Sequence, residues 1–157
     1  MSRVQLALDV ADLEASVAFY SKLFGVEPAK RRPGYANFAV TTPPLKLVLI
    51  EGEPGQATRL DHLGVEVAST EEVTAAATRL KDAGLATVEE NDTSCCYALQ
   101  DKVWVTGPGE EPWEVYVVKA DADGLGKSPR AGGDACCTGQ EDSAEPAPAT
   151  SSCACGG

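Results

Sequence analysis

The chain has 157 residues, 43% of them hydrophobic, with 13 Lys and Arg against 24 Asp and Glu and a formal charge of −11. That length suits one domain, or a domain with a tail. No apolar run approaches a bilayer span, which excludes a transmembrane protein. The acidic balance argues against nucleic acid and anionic membrane surfaces as partners.

Met1-Ser2-Arg3 leads directly into a strand-like pattern, with no signal-peptide apolar region. The expected location is the cytoplasm, where thiols stay reduced, so the six cysteines are read as thiols rather than a disulfide framework. Val4–Val10 alternates as a strand, with Leu6, Leu8 and Val10 on one face and Gln5 and Ala7 on the other. A helix follows, capped at Asp12, with Leu13, Val17, Tyr20, Leu23 and Phe24 at helical spacing and a stop at Gly25. Lys30-Arg31-Arg32 reads as a solvated turn before Pro33-Gly34, and Tyr35–Val40 and Lys46–Glu51 read as strands.

Asp61–Val67 (DHLGVEV) then repeats the pattern of Val4–Val10 (VQLALDV) at an offset of 57. Ser69 with Glu72 forms a capping box for a second helix running through Val73, Ala76, Ala77 and Leu80 to Gly84. Strand-like runs follow at Leu85–Glu89, Cys96–Gln100, Val103–Thr106 and Trp113–Val118. Each half is therefore roughly βαβββ. Two such modules, about 3–52 and 59–119, predict an α+β fold with helices on one face of the sheets and a cleft on the other. Gly25 to Pro44 spans 19 steps and Gly84 to Pro112 spans 28, with the surplus around Glu89–Cys96. A polar insertion beside a cleft is a candidate lid or substrate loop.

From Asp121 to Gly157 the only large apolar side chain is Leu125, so residues 121–157 are expected to form a disordered tail. The tail carries six acids and two basic residues, giving −4 and leaving −7 on the core of residues 1–120. It also holds Cys136, Cys137, Cys153 and Cys155.

Parity singles out three polar residues. Gln5 and His62 are repeat equivalents on the face away from the helices, and Glu114 lies on the face opposite Trp113 and Val115. Singly, each has an ordinary reading as a structural histidine or strand-surface polarity. Together they offer an imidazole, a carboxylate and an amide oxygen, close to the facial triad that leaves positions open on non-haem Fe(II). Aligning Pro112 with Pro44 makes Lys46 the counterpart of Glu114, and a protonated lysine is no ligand. Cys95-Cys96 follows the polar insertion near the proposed cleft. Two adjacent thiolates suit one soft centre such as trivalent arsenic, although adjacent cysteines also serve as small apolar residues.

The run Asn91–Val118, NDTSCCYALQDKVWVTGPGEEPWEVYVV, closely resembles the bacterial non-haem-iron C–As lyases of the vicinal-oxygen-chelate, or glyoxalase/bleomycin-resistance, superfamily. VQLALDVADLEASVAFYSKLFGVEPAK and RRPGYANFAVTTPPLKLVL are similar to the same family, so the resemblance covers residues 3–119. It implies paired βαβββ modules around Fe(II) held by Gln5, His62 and Glu114, with Cys95 and Cys96 binding a trivalent organoarsenical in a mobile loop. The implied reaction is dioxygen-dependent cleavage of the carbon–arsenic bond. Methylarsonous acid would give arsenite and formaldehyde, and trivalent aromatic arsenicals are further candidate substrates. Many relatives carry histidine where Gln5 stands.

Tyr97, Gln100 and Lys102 follow the thiols and are candidate loop or substrate contacts, or ordinary strand surface. The tail cysteines Cys136, Cys137, Cys153 and Cys155 are candidates for arsenite capture and handover to an efflux or sensing partner, or incidental thiols. Two rival readings keep the fold and change the chemistry. One is another metal-dependent dioxygenase or glyoxalase-like enzyme, which needs no vicinal thiols. The other is a non-catalytic cadmium or arsenic binder. Two modules can close within one chain or exchange between chains, so a homodimer is also open to this fold.

Overall fold

The computed structural model describes residues 2–124 and residue 126. The expectations for Cys136, Cys137, Cys153 and Cys155 fall outside these residues. Ten elements form two βαβββ units. The first comprises β1 (Arg3–Val10), α1 (Leu13–Phe24), β2 (Lys30–Arg32), β3 (Tyr35–Val40) and β4 (Leu45–Glu51). The second comprises β5 (Arg59–Glu66), α2 (Thr70–Asp82), β6 (Thr87–Cys95), β7 (Ala98–Thr106) and β8 (Pro112–Asp121). No helix among the described residues is long and apolar enough to cross a membrane.

All eight strands join one mixed sheet in the order β2-β3-β4-β1-β5-β8-β7-β6. The two units meet where β1 pairs antiparallel with β5. Each opening strand also pairs in parallel with the last strand of its own unit, β1 with β4 and β5 with β8. This crossover pairing places both repeat equivalents at the centre of the sheet.

The helices start and stop where the side chains dictate. Asp12 Oδ1 accepts from Ala15 N at 2.8 Å, and Gly25, at φ 65°, closes α1 in the left-handed region that glycine tolerates. Ser69 Oγ accepts from Glu72 N at 3.3 Å, while Glu72 reaches back to Ala68 N at 3.2 Å, one residue outside the cap. Both helices cover one face of the sheet. Val10, Leu13, Val17, Phe38, Leu47 and Leu49 form the core beneath α1. Val73, Ala76, Ala77, Val103 and Val117 form the core beneath α2. Each large apolar side chain so buried stabilises by about 1.5–3 kcal/mol.

The opposite face is concave. Ala7, Tyr35, Val48, Cys95 and Trp104 share one buried cluster although β3 and β6 lie near opposite edges of the sheet. They meet only because the sheet curls. The Tyr35 and Tyr97 rings, 5.5 Å apart, close the curl from its two ends.

Three local expectations change. Lys30-Arg31-Arg32 is an edge strand paired with Tyr35–Asn37, not a solvated turn. Glu89–Cys95 belongs to strand β6, so the surplus length of the second unit is a longer hairpin rather than an inserted polar loop. The ladder also reassigns the counterpart of Glu114. Glu114 stands beside Gly64, the repeat equivalent of Ala7, and Ala7 stands beside Val48. Val48, not Lys46, therefore holds the matching place. The hairpins before β4 and β8 differ in length, which misleads an alignment on their prolines.

Candidate metal centre and thiol pair

Gln5 on β1, His62 on β5 and Glu114 on β8 converge on the concave face, at 4%, 1% and 2% exposure. Gln5 lies opposite Gly64, and Gly64 lies opposite Glu114. A Cβ on Gly64 would stand 3.1 Å from Glu114 Cγ and 3.3 Å from both Gln5 Cβ and Nε2. The missing side chain is what lets its two neighbours close over the strand. His62 joins them diagonally, from the same face two residues away.

Three side-chain atoms meet at one point. Gln5 Nε2 is 2.7 Å from Glu114 Oε1 and 2.9 Å from His62 Nε2, and His62 Nε2 is 3.3 Å from Glu114 Oε1. Each is anchored from behind. The Asp61 carboxylate faces His62 Nδ1. A proton on Nδ1 donated to Asp61 leaves Nε2 as a lone pair aimed at the other two. Glu114 Oε2 accepts from Lys102 Nζ at 2.8 Å, in a wholly buried ion pair. The Lys102 ammonium lies 5.1 Å from the Trp104 ring centre and 6.0 Å from that of Tyr116.

Gln5 Oε1 points the other way, to the Tyr116 hydroxyl, which also reaches Glu66 Oε2 at 2.9 Å. Burial, then Glu114 and Glu66, push the Tyr116 hydroxyl well above its usual range, so it stays protonated. Burial also works to raise the Glu66 carboxyl. Lys46 at 3.1 Å, Arg3 at 3.0 Å and Tyr116 outweigh it and hold Glu66 below the usual carboxylate range.

The donor set fits a first-row divalent ion. Adjacent ligands about 2.1 Å from one ion at right angles lie about 3 Å apart, and the three separations here bracket that value. Half a turn of the Gln5 amide would present oxygen in place of nitrogen. Among the described residues no three His, Cys, Asp or Glu side chains gather at one point. The centre therefore depends on the amide. An imidazole, a carboxylate and an amide oxygen satisfy half of an octahedral shell and leave the rest to small molecules.

The thiols stand at the tip of the β6–β7 hairpin. Cys95 pairs with Ala98, leaving Cys96 and Tyr97 as a two-residue turn at φ 54° and 59°. Asn-Gly is the usual sequence for such a left-handed pair, and holding two larger residues there costs about 1–2 kcal/mol each. The turn is tied down on several sides. Tyr97 Oη donates to Pro33 O at 3.2 Å, and Gln100 Nε2 donates to Cys95 O at 3.1 Å. Lys30 Nζ donates to Tyr97 O at 3.2 Å. Residues beyond β8 complete the clamp. Ala122 N donates to Tyr97 O at 3.0 Å and Tyr97 N donates to Gly124 O at 3.1 Å.

Cys95 Sγ and Cys96 Sγ are 3.3 Å apart. Cys96 lines a cavity of about 180 Å³ together with Gln5, His62, Glu114, Gln100 and Lys102. Cys95 is buried behind it. Of the three residues singled out after the thiols, Tyr97 and Gln100 brace the turn, whereas Lys102 reaches Glu114. Sequence reasoning missed Asp61, Gly64, Glu66 and Tyr116. Tyr116 had a signal, since it shares Glu114's strand face.

Residues 3–115 match the Glyoxalase/Bleomycin resistance protein/Dioxygenase superfamily. The chain is 74% identical over 138 residues to the "Trivalent organoarsenical cleaving enzyme" of Thermomonospora curvata, covering 88% of this chain and 89% of that protein. It is 60% identical over 146 residues to the "Cadmium-induced protein CadI" of Mycobacterium tuberculosis, covering 89% and 95%. An extradiol ring-cleaving dioxygenase from B. fuscum shares the fold at a TM-score of 0.55 and 22% identity, over 78% of this chain and 34% of that one.

Proposed function

The chain belongs to the glyoxalase/bleomycin resistance protein/dioxygenase superfamily, and from that premise we propose that it cleaves the carbon–arsenic bond of trivalent organoarsenicals with dioxygen. The observation that carries the proposal is the sharing of one cavity by Cys96 and the Gln5–His62–Glu114 cluster. A thiol pair suits the arsenic, and a three-donor centre with open positions suits dioxygen chemistry. The curated relative at 74% identity bears a name that states the same activity.

Methylarsonous acid carries one methyl group and two exchangeable hydroxyls. Cys95 and Cys96 displace both as water, and their 3.3 Å spacing lets both sulfurs bond one large atom. The methyl group then projects into the cavity. In this reading Gln5 would hold Fe(II) through its amide oxygen, His62 through Nε2 and Glu114 through Oε1. When bound, the ion supplies activation of dioxygen for oxidation of the carbon attached to arsenic. Overall, methylarsonous acid and one dioxygen give formaldehyde and arsenious acid. The methyl carbon loses electrons to dioxygen, and arsenic remains trivalent.

The protein's own residues set the geometry. Asp61 fixes the His62 tautomer, and Lys102 fixes the Glu114 carboxylate while partly balancing its charge. The braced turn holds the arsenic at a constant place, so that reaction with a neighbouring group is effectively intramolecular. The apolar lining from Tyr35, Val48 and Ala98 limits water around the reacting carbon.

The test is dioxygen uptake by the Fe(II)-loaded protein given methylarsonous acid. Uptake matched by arsenite and formaldehyde release, absent without dioxygen or after metal removal, is the expected result. Stoichiometric retention of the arsenical with its carbon–arsenic bond intact would overturn the proposal in favour of a binding protein.

A further inference from the structure

The Gln5 amide has hydrogen-bonding partners at both ends. On one side stand His62 Nε2 at 2.9 Å and Glu114 Oε1 at 2.7 Å. On the other stands the Tyr116 hydroxyl, itself 2.9 Å from Glu66 Oε2. An amide has one NH2 group and can serve only one side with it.

With the amide oxygen toward it, the Tyr116 hydroxyl faces two acceptors at once. A hydroxyl carries one proton, and here two acceptors, Gln5 Oε1 and Glu66 Oε2, compete for it. Turning the amide over removes the conflict. Gln5 then donates through Nε2 to Tyr116 Oη, and Tyr116 donates to Glu66. The chain ends on Lys46 and Arg3, which neutralise the Glu66 carboxylate. The same turn aims Oε1 at the lone pair of His62 and at Glu114 Oε1. Three electron-rich atoms then face one point, an arrangement that a cation stabilises.

We infer that Tyr116, backed by Glu66, is the positioning residue that holds Gln5 as an oxygen ligand. The inference deepens the metal reading above and rests on it. An amide N–H donated into a chain that ends on a carboxylate moves electron density toward the amide oxygen. A weak neutral ligand becomes a better one, in the way that a partner carboxylate improves a ligating histidine. Tyr116 and Glu66 are thus the counterpart, for Gln5, of Asp61 for His62.

The experiment is an anaerobic Fe(II) titration of the full chain against a chromophoric chelator, with thermal midpoints of the metal-stripped proteins recorded alongside. Tyr116→Phe is expected to raise the Fe(II) dissociation constant by about 10–100-fold. Glu66→Gln should weaken binding by a smaller factor, because a neutral amide still accepts from the tyrosine. Since both act through one chain, the double variant should bind within about threefold of Tyr116→Phe alone. A purely structural role predicts lower thermal midpoints with no such shared loss of affinity. Parent-like Fe(II) affinity in Tyr116→Phe, or losses that multiply in the double variant, would overturn the inference while leaving the metal reading intact. If Tyr116→Phe does not fold, parent-like affinity in Glu66→Gln overturns it by itself. Failure of the parent chain to bind Fe(II) removes the metal reading, and this inference with it.

Discussion

Cys95 and Cys96 are sequence neighbours whose sulfurs lie 3.3 Å apart in unlike surroundings. Cys95 is buried with Ala7, Tyr35, Val48 and Trp104, while Cys96 lines the cavity that holds Gln5, His62 and Glu114. Cys95 is the last residue of β6, whereas Cys96 is the first of the two left-handed turn residues, so the two side chains leave the backbone in different conformations.

The asymmetry separates two variants. Cys96→Ser removes the sulfur facing the cavity and disturbs the buried cluster only at its border, where Cys96 packs against it. Cys95→Ser places a hydroxyl among apolar side chains and costs about 1–3 kcal/mol of stability. Both lose two-point anchoring, so both should lower kcat/KM for methylarsonous acid by about 100-fold. The double variant should be at least as impaired as either, since each single variant has already lost the two-point hold and the double loses the remaining As–S bond as well. Dioxygen uptake checks this, and a single variant with full turnover would show that one thiol suffices.

Lys102 and Glu114 form a buried pair in which the carboxylate's other oxygen faces the candidate metal point. Lys102→Met removes the ammonium that is paired with the buried Glu114 carboxylate. The metal-stripped variant should lose about 3–5 kcal/mol of stability. A divalent cation at the centre supplies part of the missing charge. Anaerobic Fe(II) should therefore raise the thermal midpoint of Lys102→Met by more than it raises that of the parent. Equal shifts in calorimetry would mean that Lys102 does not balance Glu114.

Much of this arrangement was legible in alternation along short segments. Period two placed Gln5, His62 and Glu114 away from the helices, and the 57-residue offset paired the first two. The hairpin tip was less legible. Residues 87–95 form an edge strand, and edge strands carry polar side chains that read as loop. Cys96-Tyr97 lacks the Asn-Gly signal of a left-handed turn. Lys30–Arg32 is a charged three-residue edge strand that alternation cannot detect. Three supports of the centre, Glu66, Lys102 and Tyr116, depend on which strands are neighbours, and pairing order is not written in any one strand.

Asp101 contributes to the response to acid. Its buried carboxylate accepts from Thr70 Oγ1 at 2.6 Å, Asp92 N at 2.8 Å and Lys119 Nζ at 3.2 Å. Burial works to raise its pKa, and these donors outweigh burial and lower it. A carboxyl depressed in the folded state contributes stability above its unfolded pKa, about 3.9. That contribution is lost as pH falls through the folded value. Asp101→Asn should therefore be less stable at neutral pH by about 1–3 kcal/mol. Its stability should also fall less steeply than the parent's below about pH 4. Urea titrations across that range decide it, and parallel acid limbs would remove Asp101 from the account.

The segment after β8 gives the last test. Gly126 packs its Cα against the chain at Ser94, so closely that a Cβ there would stand 1.9 Å from Ser94 O. Its φ of 63° is also one that alanine avoids. Gly126→Ala cannot be accommodated by a small adjustment, because the obstacle is backbone. The segment must lift, and the bonds that Ala122 and Gly124 make with Tyr97 lengthen or break. The sheet and both helices lie elsewhere and should stay folded. The turn that presents Cys96 loses one of its clamps, so the thiol pair should become more accessible and less well placed. Alkylation of the Cys95–Cys96 peptide, followed by mass spectrometry, should quicken several-fold while KM for methylarsonous acid rises. Unchanged alkylation with unchanged KM would mean that Tyr97, Gln100 and Lys30 hold the turn without help from the chain beyond β8.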